Sequence, residues 1–328
     1  MKEQYVSDLS EGTAVDSLFA VRSRDLRAAR TGDAYLAMEL ADRTGAMSAV
    51  MFRPGPEEWS VPPGSVARVR GTVTSYRGVR RVSVESLRPA PVYQRGDMIA
   101  TGSRKREELV AAFETLRRGV SHEGLRAVLQ DVFGDRGFVD RFCECPAAVR
   151  YHHAYVGGLL EHTVGVASLC RVLASRYDGA DADLLVSAAL LHDVGTVEEL
   201  RFDTSVELTD AGRLLGHVVL GERVVSAAIA RAGSRVDEHT ALRLLHLVVA
   251  HHNDARSAAA VRPSCLEALL LHHADDLDAQ ASGFASAIAG AAVLEEPWTD
   301  AENGFGRPLY AGAGRTRETG ERVCVPTG

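Results

Sequence analysis

The chemistry of this chain is carried by histidines and aspartates that interrupt otherwise apolar runs. In "SAALLHDVG" (187–195) a helix with hardly any polar face ends in His192 and Asp193, two groups that are costly to take out of water unless something pairs with or binds them. His162 falls inside "GGLLEHTVGVASLC" (157–170), His217 inside "LLGHVVLG" (214–221), His251 and His252 end "LLHLVVAHH" (244–252), and Asp275 follows "ALLLHHA" (268–274). One histidine in such a run is more often a hydrogen-bonded core residue than a ligand. Five separate helices each carrying a polar intrusion point elsewhere. Imidazole nitrogen and carboxylate oxygen together suit a divalent transition ion, which removes the penalty for burying them. Neighbouring His192 and Asp193 lie about 100° apart on a helix, so one ion at its rim can take both.

The elements that must position these groups occupy the second of two stretches of different texture. From about residue 103, apolar residues recur at spacings of three and four, predicting helices over 106–120, 124–133, 157–177, 181–194, 210–232, 237–253 and 264–290, an all-α second part. Before it, "VDSLFAVRS" (15–23), "AYLAMELAD" (34–42), "GAMSAVMF" (45–52), "SVARVRGTVTSY" (65–76) and "VRRVSVESL" (79–87) are short, β-branched and separated by Gly, Asp and Pro. Five strands, with a hairpin tip at Gly78 and a long connection at 53–64, predict a small OB-like barrel. The expected multidomain organisation is an OB-fold-like domain over 1–92, a helical linker region over 93–145, a helical bundle over 146–290 and a C-terminal tail over 291–328.

Composition bounds what these parts can do. The 328 residues are 46% hydrophobic and 25% charged, ordinary globular proportions with room for two cores. No basic-then-apolar leader and no run of about 18 apolar residues is visible, so the expectation is a cytoplasmic protein without a membrane partner. Five irregularly spaced cysteines (Cys143, Cys145, Cys170, Cys265 and Cys324) fit reduced thiols better than a disulfide framework or zinc site. A net charge of −7 argues against a protein that coats nucleic acid, yet the charge is divided. Residues 1–90 hold 13 basic and 11 acidic side chains, the remainder 24 and 33. The mildly basic barrel is the part able to touch a polyanion. Its available stacking and phosphate-binding groups are Phe19, Tyr35, Phe52 and Tyr76 with Arg68, Arg70, Arg77 and Arg80, and Phe52, Tyr76, Arg68, Arg70 and Arg77 form the preferred set.

His162, then "HD" at 192–193, then a distant Asp275 resembles the H…HD…D pattern of HD-domain metal-dependent phosphohydrolases. The likeness extends to "HHAYVGGLLEHT" (152–163), "TDAGRLLGHVVLG" (209–221), "EALLLHHADDLDA" (267–279) and "PWTD…GRPLY" (297–310). Together with an OB-like partner, this ordered set is similar to the YhaM-type 3′→5′ exoribonucleases. The resemblance implies that His162, His192, Asp193 and Asp275 hold a first metal, and that Asp193 bridges to a second held by His217 and by His251 or His252. His192 and Asp193 would be the central catalytic pair, with Asp278, Glu161 and His153 behind the ligands. It further implies one or two divalent ions, Mn²⁺ before Fe²⁺, Co²⁺ or Zn²⁺, and cleavage of single-stranded RNA, or DNA, from its 3′ end into nucleoside 5′-monophosphates. A homo-oligomer is compatible with it. One departure stands out: many HD proteins read HDxGK, and here the lysine position is Thr196, leaving Arg201 or Arg213 to supply the charge. The alternative is an HD phosphohydrolase of nucleotides or cyclic dinucleotides with a regulatory barrel. Less favoured are a binding protein with a structural metal and a scaffold that binds no nucleic acid.

Overall fold

A computed structural model describes residues 2–28, 32–76, 78–149, 152–252, 261–293, 297–301 and 303–312, the side chains of 290–293 excepted. Five strands, β1 (Ala14–Ala28), β2 (Ala34–Asp42), β3 (Gly45–Phe52), β4 (Val66–Tyr76) and β5 (Val79–Pro89), close into a barrel in the order β1-β2-β3-β5-β4. All pairs are antiparallel except β3 with β5. Period-two alternation places Val15, Phe19, Leu36, Leu40, Val69, Val82 and Leu87 inside, where they form the barrel core. A short helix, α1 (Pro56–Trp59), fills the connection between β3 and β4, its entry capped by the Glu58 carboxylate on the Gly55 N–H at 2.9 Å. This is the OB-like arrangement expected. β1 runs beyond residue 23 because its polar end is held by ladder pairing with β2, Asp25 opposite Ala37 and Ala28 opposite Ala34, rather than by burial.

The second part begins with α2 (Arg95–Met98), α3 (Arg106–Gly119), α4 (Glu123–Val132) and α5 (Arg136–Glu144). No separate helix is predicted over 136–144, yet Asp135 caps the N–H groups of Gly137 and Phe138, and Phe142 packs between Phe113 and Phe133. There follow α6 (Gly158–Arg176), α7 (Ala182–Leu191), α8 (Thr196–Glu199), α9 (Asp210–Ala232), α10 (Glu238–Ala250) and α11 (Leu266–Val293) around one apolar core.

The second part is not all-α. Between α8 and α9 lies a hairpin, β6 (Leu200–Phe202) and β7 (Val206–Leu208). Its alternation of Leu200, Phe202, Val206 and Leu208 with polar residues is a strand pattern too short to stand out among helices. The hairpin makes the seam with the barrel. Phe202 and Val206 pack with Ala20, Val66, Met98 and Ile99, and Thr204 donates to the Gly64 carbonyl at 2.7 Å. The four described cysteines are free, and Cys324 lies outside the described residues.

The N-terminal arm is tied down by a buried ion pair. Lys2 Nζ is 3.0 Å from Asp42 Oδ2 with neither side chain exposed, and it also donates to the Leu18 carbonyl. Asp42 in turn accepts from the N–H groups of Val6 and Thr44 at 2.9 Å. Removing one member strands the other's charge, which typically costs about 3–5 kcal/mol. Lys2→Ala should therefore lower unfolding stability in urea titrations by about 3 kcal/mol, and Lys2→Met with Asp42→Asn should recover much of the loss. A Lys2→Ala protein as stable as the wild type would show that the pair carries no stability.

Candidate metal centre

Two helix ends solve the same problem in the same way. α7 and α10 each leave terminal carbonyls without intrahelical partners, and the residue after each helix is a histidine that reaches back. His192 Nδ1 donates to the Ala189 carbonyl at 2.8 Å and His251 Nδ1 to the Val248 carbonyl at 2.7 Å. Because a carbonyl only accepts, the proton of each neutral ring sits on Nδ1. Both Nε2 lone pairs therefore face inward.

His162 enters from α6, its Nδ1 2.8 Å from Asp278 Oδ2 and its Nε2 3.1 Å from Asp275 Oδ1 on α11. His217 enters from α9 by way of a break in that helix. Gly216 adopts φ 73°, which favours glycine, and the helix restarts at His217 with its N–H capped by Glu199 Oε1 at 3.0 Å. Glu199 also lies 3.3 Å from His217 Nδ1. Gly195, three residues after His192, lets α9 approach this closely: a Cβ there would lie 2.0 Å from the His217 carbonyl oxygen.

The seven side chains singled out by sequence converge on Asp193. Its Oδ2 faces His162 and His192 at 3.7 and 3.6 Å, while its Oδ1 faces His217 and His251, both at 3.5 Å. The His192 and His162 Nε2 atoms are 3.2 Å apart, and those of His217 and His252 are 2.9 Å apart. His252 Nδ1 lies 3.5 Å from Asp275 Oδ2, closing the ring of groups. Asp193 Oδ1 and His251 Nε2 are fully buried acceptors without a hydrogen-bond partner. Two such acceptors facing each other call for a cation between them. The chemistry of the donors and their spacing fit one ion on each side of the Asp193 carboxylate.

Charge accumulates in this cluster. Burial opposes ionisation of Asp193, but the imidazoles around it, with the protonated His217 among them, hold its carboxyl well below the usual range. Burial also opposes protonation of His162, yet hydrogen bonds to Asp275 and Asp278 raise it to about 10. His217 is raised to about 9, against burial, by Asp193 and Glu199. His252 is driven down to about 3 by burial and by His251.

Behind the ligand positions runs a chain of contacts. Asp278 Oδ2 is 2.9 Å from His153 Nε2, His153 Nδ1 is 2.8 Å from the Tyr155 hydroxyl, and that hydroxyl donates to Glu161 at 2.9 Å. Glu199 and Tyr155 were not singled out in the sequence. Glu199 follows a Thr196 that is 1% exposed, so the departure from HDxGK is an interior one. Arg201 is committed to Glu207 at 2.8 Å, and Arg213 is exposed.

On the barrel, a groove of about 830 Å³ is lined by Tyr35, Phe52, Tyr76, Arg27 and Arg81 among others. Phe52 and Tyr76 are half exposed, and the Arg81 guanidinium lies 4.4 Å from the Tyr76 ring centre. Arg68 and Arg70 are elsewhere: both donate to Asp16, at 2.6 and 2.9 Å, across the β1–β4 ladder. Alternation shows that they point outward but not toward which side of the barrel. Phe19 is a core residue, and Arg80 donates to the Leu9 carbonyl. Arg77 lies outside the described residues.

Residues 159–280, from α6 into α11, match the HD domain family. Over 273 residues the chain is 29% identical to the 3′-5′ exoribonuclease YhaM of Geobacillus sp. (strain WCH70), covering 82% of this chain and 83% of the relative. The protein of the same name from Bacillus subtilis (strain 168) is 28% identical over 273 residues, 82% and 86% of the two chains. Among solved structures, the second OB-fold domain of replication protein A from Methanococcus maripaludis aligns with 29% of this chain and 99% of its own, at 17% identity and a TM-score of 0.24.

Ligand nitrogens must be free of protons before an ion can bind. With His162 and His217 raised to about 10 and about 9, the metal-free cluster is protonated at neutral pH, and raising the pH toward 9 relieves the competition. Titration with Mn²⁺ should release protons, and the apparent affinity should tighten by roughly tenfold per pH unit for each proton displaced. Calorimetry in buffers of different ionisation enthalpy checks this. An affinity constant from pH 6 to 9 would contradict it.

Proposed function

We propose that the chain is a metal-dependent 3′→5′ exoribonuclease that shortens single-stranded RNA and releases nucleoside 5′-monophosphates. The observation that carries this reading is the Asp193 carboxylate, whose two oxygens face two separate sets of inward-pointing nitrogens. Paired sites sharing a carboxylate suit a phosphodiester, which needs help at both the attacking and the leaving oxygen. The YhaM relatives, similar over four-fifths of the chain, support the substrate and polarity.

In this reading His162, His192, Asp193 and Asp275 hold one ion, and Asp193, His217, His251 and His252 the other. When bound, the ions, Mn²⁺ by preference, lower the pKa of an attacking water and stabilise the leaving 3′-oxygen. The protein's part is to hold the ligands in place. Carbonyls fix His192 and His251, Asp278 fixes His162 and Glu199 fixes His217, so each Nε2 is presented without reorganisation. Among the candidate ligands the most exposed are His217 and His252, at 19% and 28%, with Asp193 at 11% beside them, and this edge admits a strand end more readily than a duplex. The barrel groove binds the strand upstream through Phe52 and Tyr76, with Arg81 and Arg27 beside the phosphates.

RNA labelled at its 5′ end should give a descending ladder with Mn²⁺, stalling at a stable 3′ hairpin. Asp193→Ala should reduce the rate by several orders of magnitude while circular dichroism stays helical. Rapid cutting of circular single strands, or release of nucleoside 3′-monophosphates, would contradict the reading.

A second expectation concerns the groove. Phe52→Ala with Tyr76→Ala should weaken single-strand binding by about tenfold or more at moderate salt, since each stacked base contributes about 1–3 kcal/mol. Arg68→Ala, away from the groove, should not. Fluorescence anisotropy with a labelled oligonucleotide distinguishes the two, and equal losses would move the binding face.

A further inference from the structure

Residues 297–301 and 303–310, which take no part in the metal centre, fold back onto α11 and form with it an open cavity. The space, about 360 Å³, is lined by His152, Ala279, Gly283, Ala287, Asn303 and Phe305 among others. Ala279, Gly283 and Ala287 follow Asp275 at intervals of four, so one face of α11 carries both a metal-facing carboxylate and the cavity wall. At 1.5 Å per residue, Ala279 lies about 6 Å along the helix from Asp275 and Gly283 about 12 Å. His152 forms the wall nearest the metal centre, its ring centre 6.0 Å from that of His162.

The opposite wall is fixed. Asn303 Nδ2 donates to Thr299 Oγ1 at 2.9 Å and to the Arg307 carbonyl at 2.8 Å, and its Oδ1 accepts from the Phe305 N–H at 2.9 Å. The Thr299 N–H donates to the Leu309 carbonyl at 2.9 Å, closing the loop. Phe305 is thereby pressed on Phe284, ring centres 4.2 Å apart, and against Gly283, where a Cβ would lie 3.2 Å from its ring.

No carboxylate, lysine or arginine lines this cavity, so it offers nothing to a phosphate. It offers instead two ring faces, Phe305 and His152, a floor of small residues, and the uncharged polar side chains of Gln280 and Ser286. Its volume is at the small end for ligand pockets, enough for one nucleoside. We infer that this cavity receives the nucleobase of the 3′-terminal nucleotide while its phosphate lies at the metal centre. The inference rests on the proposed nuclease reading. The amide of Asn303 is committed within its loop and that of Gln280 to Asp276 at 2.7 Å, which leaves the ring faces, with the Ser286 hydroxyl, to hold the base rather than a full donor and acceptor code. All four bases present such faces, and removal proceeds without base preference.

Two RNAs of equal length test this, one ending in an ordinary nucleotide and one in an abasic nucleotide with an intact 3′-hydroxyl. With Mn²⁺ the wild-type protein should remove the abasic nucleotide about tenfold more slowly. Phe305→Ala, which removes a wall, and Ala279→Leu, which fills the space from the other side, should each bring the ordinary substrate down to the abasic rate. Their metal content by elemental analysis should match the wild type. Equal wild-type rates on both RNAs, or undiminished discrimination in both variants, would overturn the inference. Binding provides an arm independent of hydrolysis. Metal-loaded protein should bind AMP about tenfold tighter than ribose 5-phosphate, and the two variants should not distinguish them. If no RNA is degraded, the nuclease reading fails while this comparison still decides the cavity, since equal affinities in the wild type would rule out a base site.

Discussion

Two buried acceptors facing each other across 3.5 Å, Asp193 Oδ1 and His251 Nε2, set the constraint around which the helical domain is arranged. Left alone, such a pair is repulsive and desolvated, and a core built only for stability would replace it with apolar side chains. The fold instead reinforces it from both sides. α7 and α10 stop where a histidine can hydrogen-bond to the carbonyl three residues back, so one local device ends each helix and aims each ring. Gly195 brings α9 in, and the break at Gly216 with Glu199 as cap orients His217. The backbone irregularity at Gly216 falls where it directs a ligand atom inward.

The hairpin between α8 and α9 connects this arrangement to the barrel. Glu199, which caps His217, is followed at once by Leu200–Phe202, and that strand with its partner packs against Met98, Ile99 and the barrel residues Ala20 and Val66. The segment that positions one candidate ligand therefore also forms the seam between the domains. Tyr93, donating to Asp203 at 2.8 Å, and Thr204, donating to the Gly64 carbonyl, pin the hairpin tip from the barrel side.

The sequence displayed much of this because burial of a polar group is conspicuous in a helical pattern. His162, His192, Asp193, His217, His251, His252 and Asp275 each break an apolar run, and all seven converge. The barrel strands were legible for the same reason, through alternation. What stayed hidden depends on pairing across the fold. Glu199 reads as an ordinary charged residue until the break at Gly216 brings an N–H beside it. Tyr155 acquires meaning only when His153 and Asp278 arrive from distant positions. Arg68 and Arg70 alternate outward like groove residues, yet Asp16 lies across the ladder from them. The helix over Arg136–Glu144 is short, and its apolar residues make sense only against Phe113 and Phe133.

Thr196 bears on how a phosphate would be held without the lysine of HDxGK. The Thr196 side chain is buried, and the Cys145 thiol donates to the Thr196 backbone carbonyl at 3.6 Å. The compensating charge has to come from the centre itself. In the proposed ligand set only Asp193 and Asp275 are carboxylates, and the other ligands are neutral imidazoles once their protons are displaced. Two divalent ions then leave a net positive charge facing the solvent edge at His217 and His252. Asp278 and Glu199, set behind His162 and His217, balance those remaining two charges without occupying a ligand position. In the proposed function, phosphate would be held by the metal centre, and the rest of the strand by the barrel groove and the ring faces.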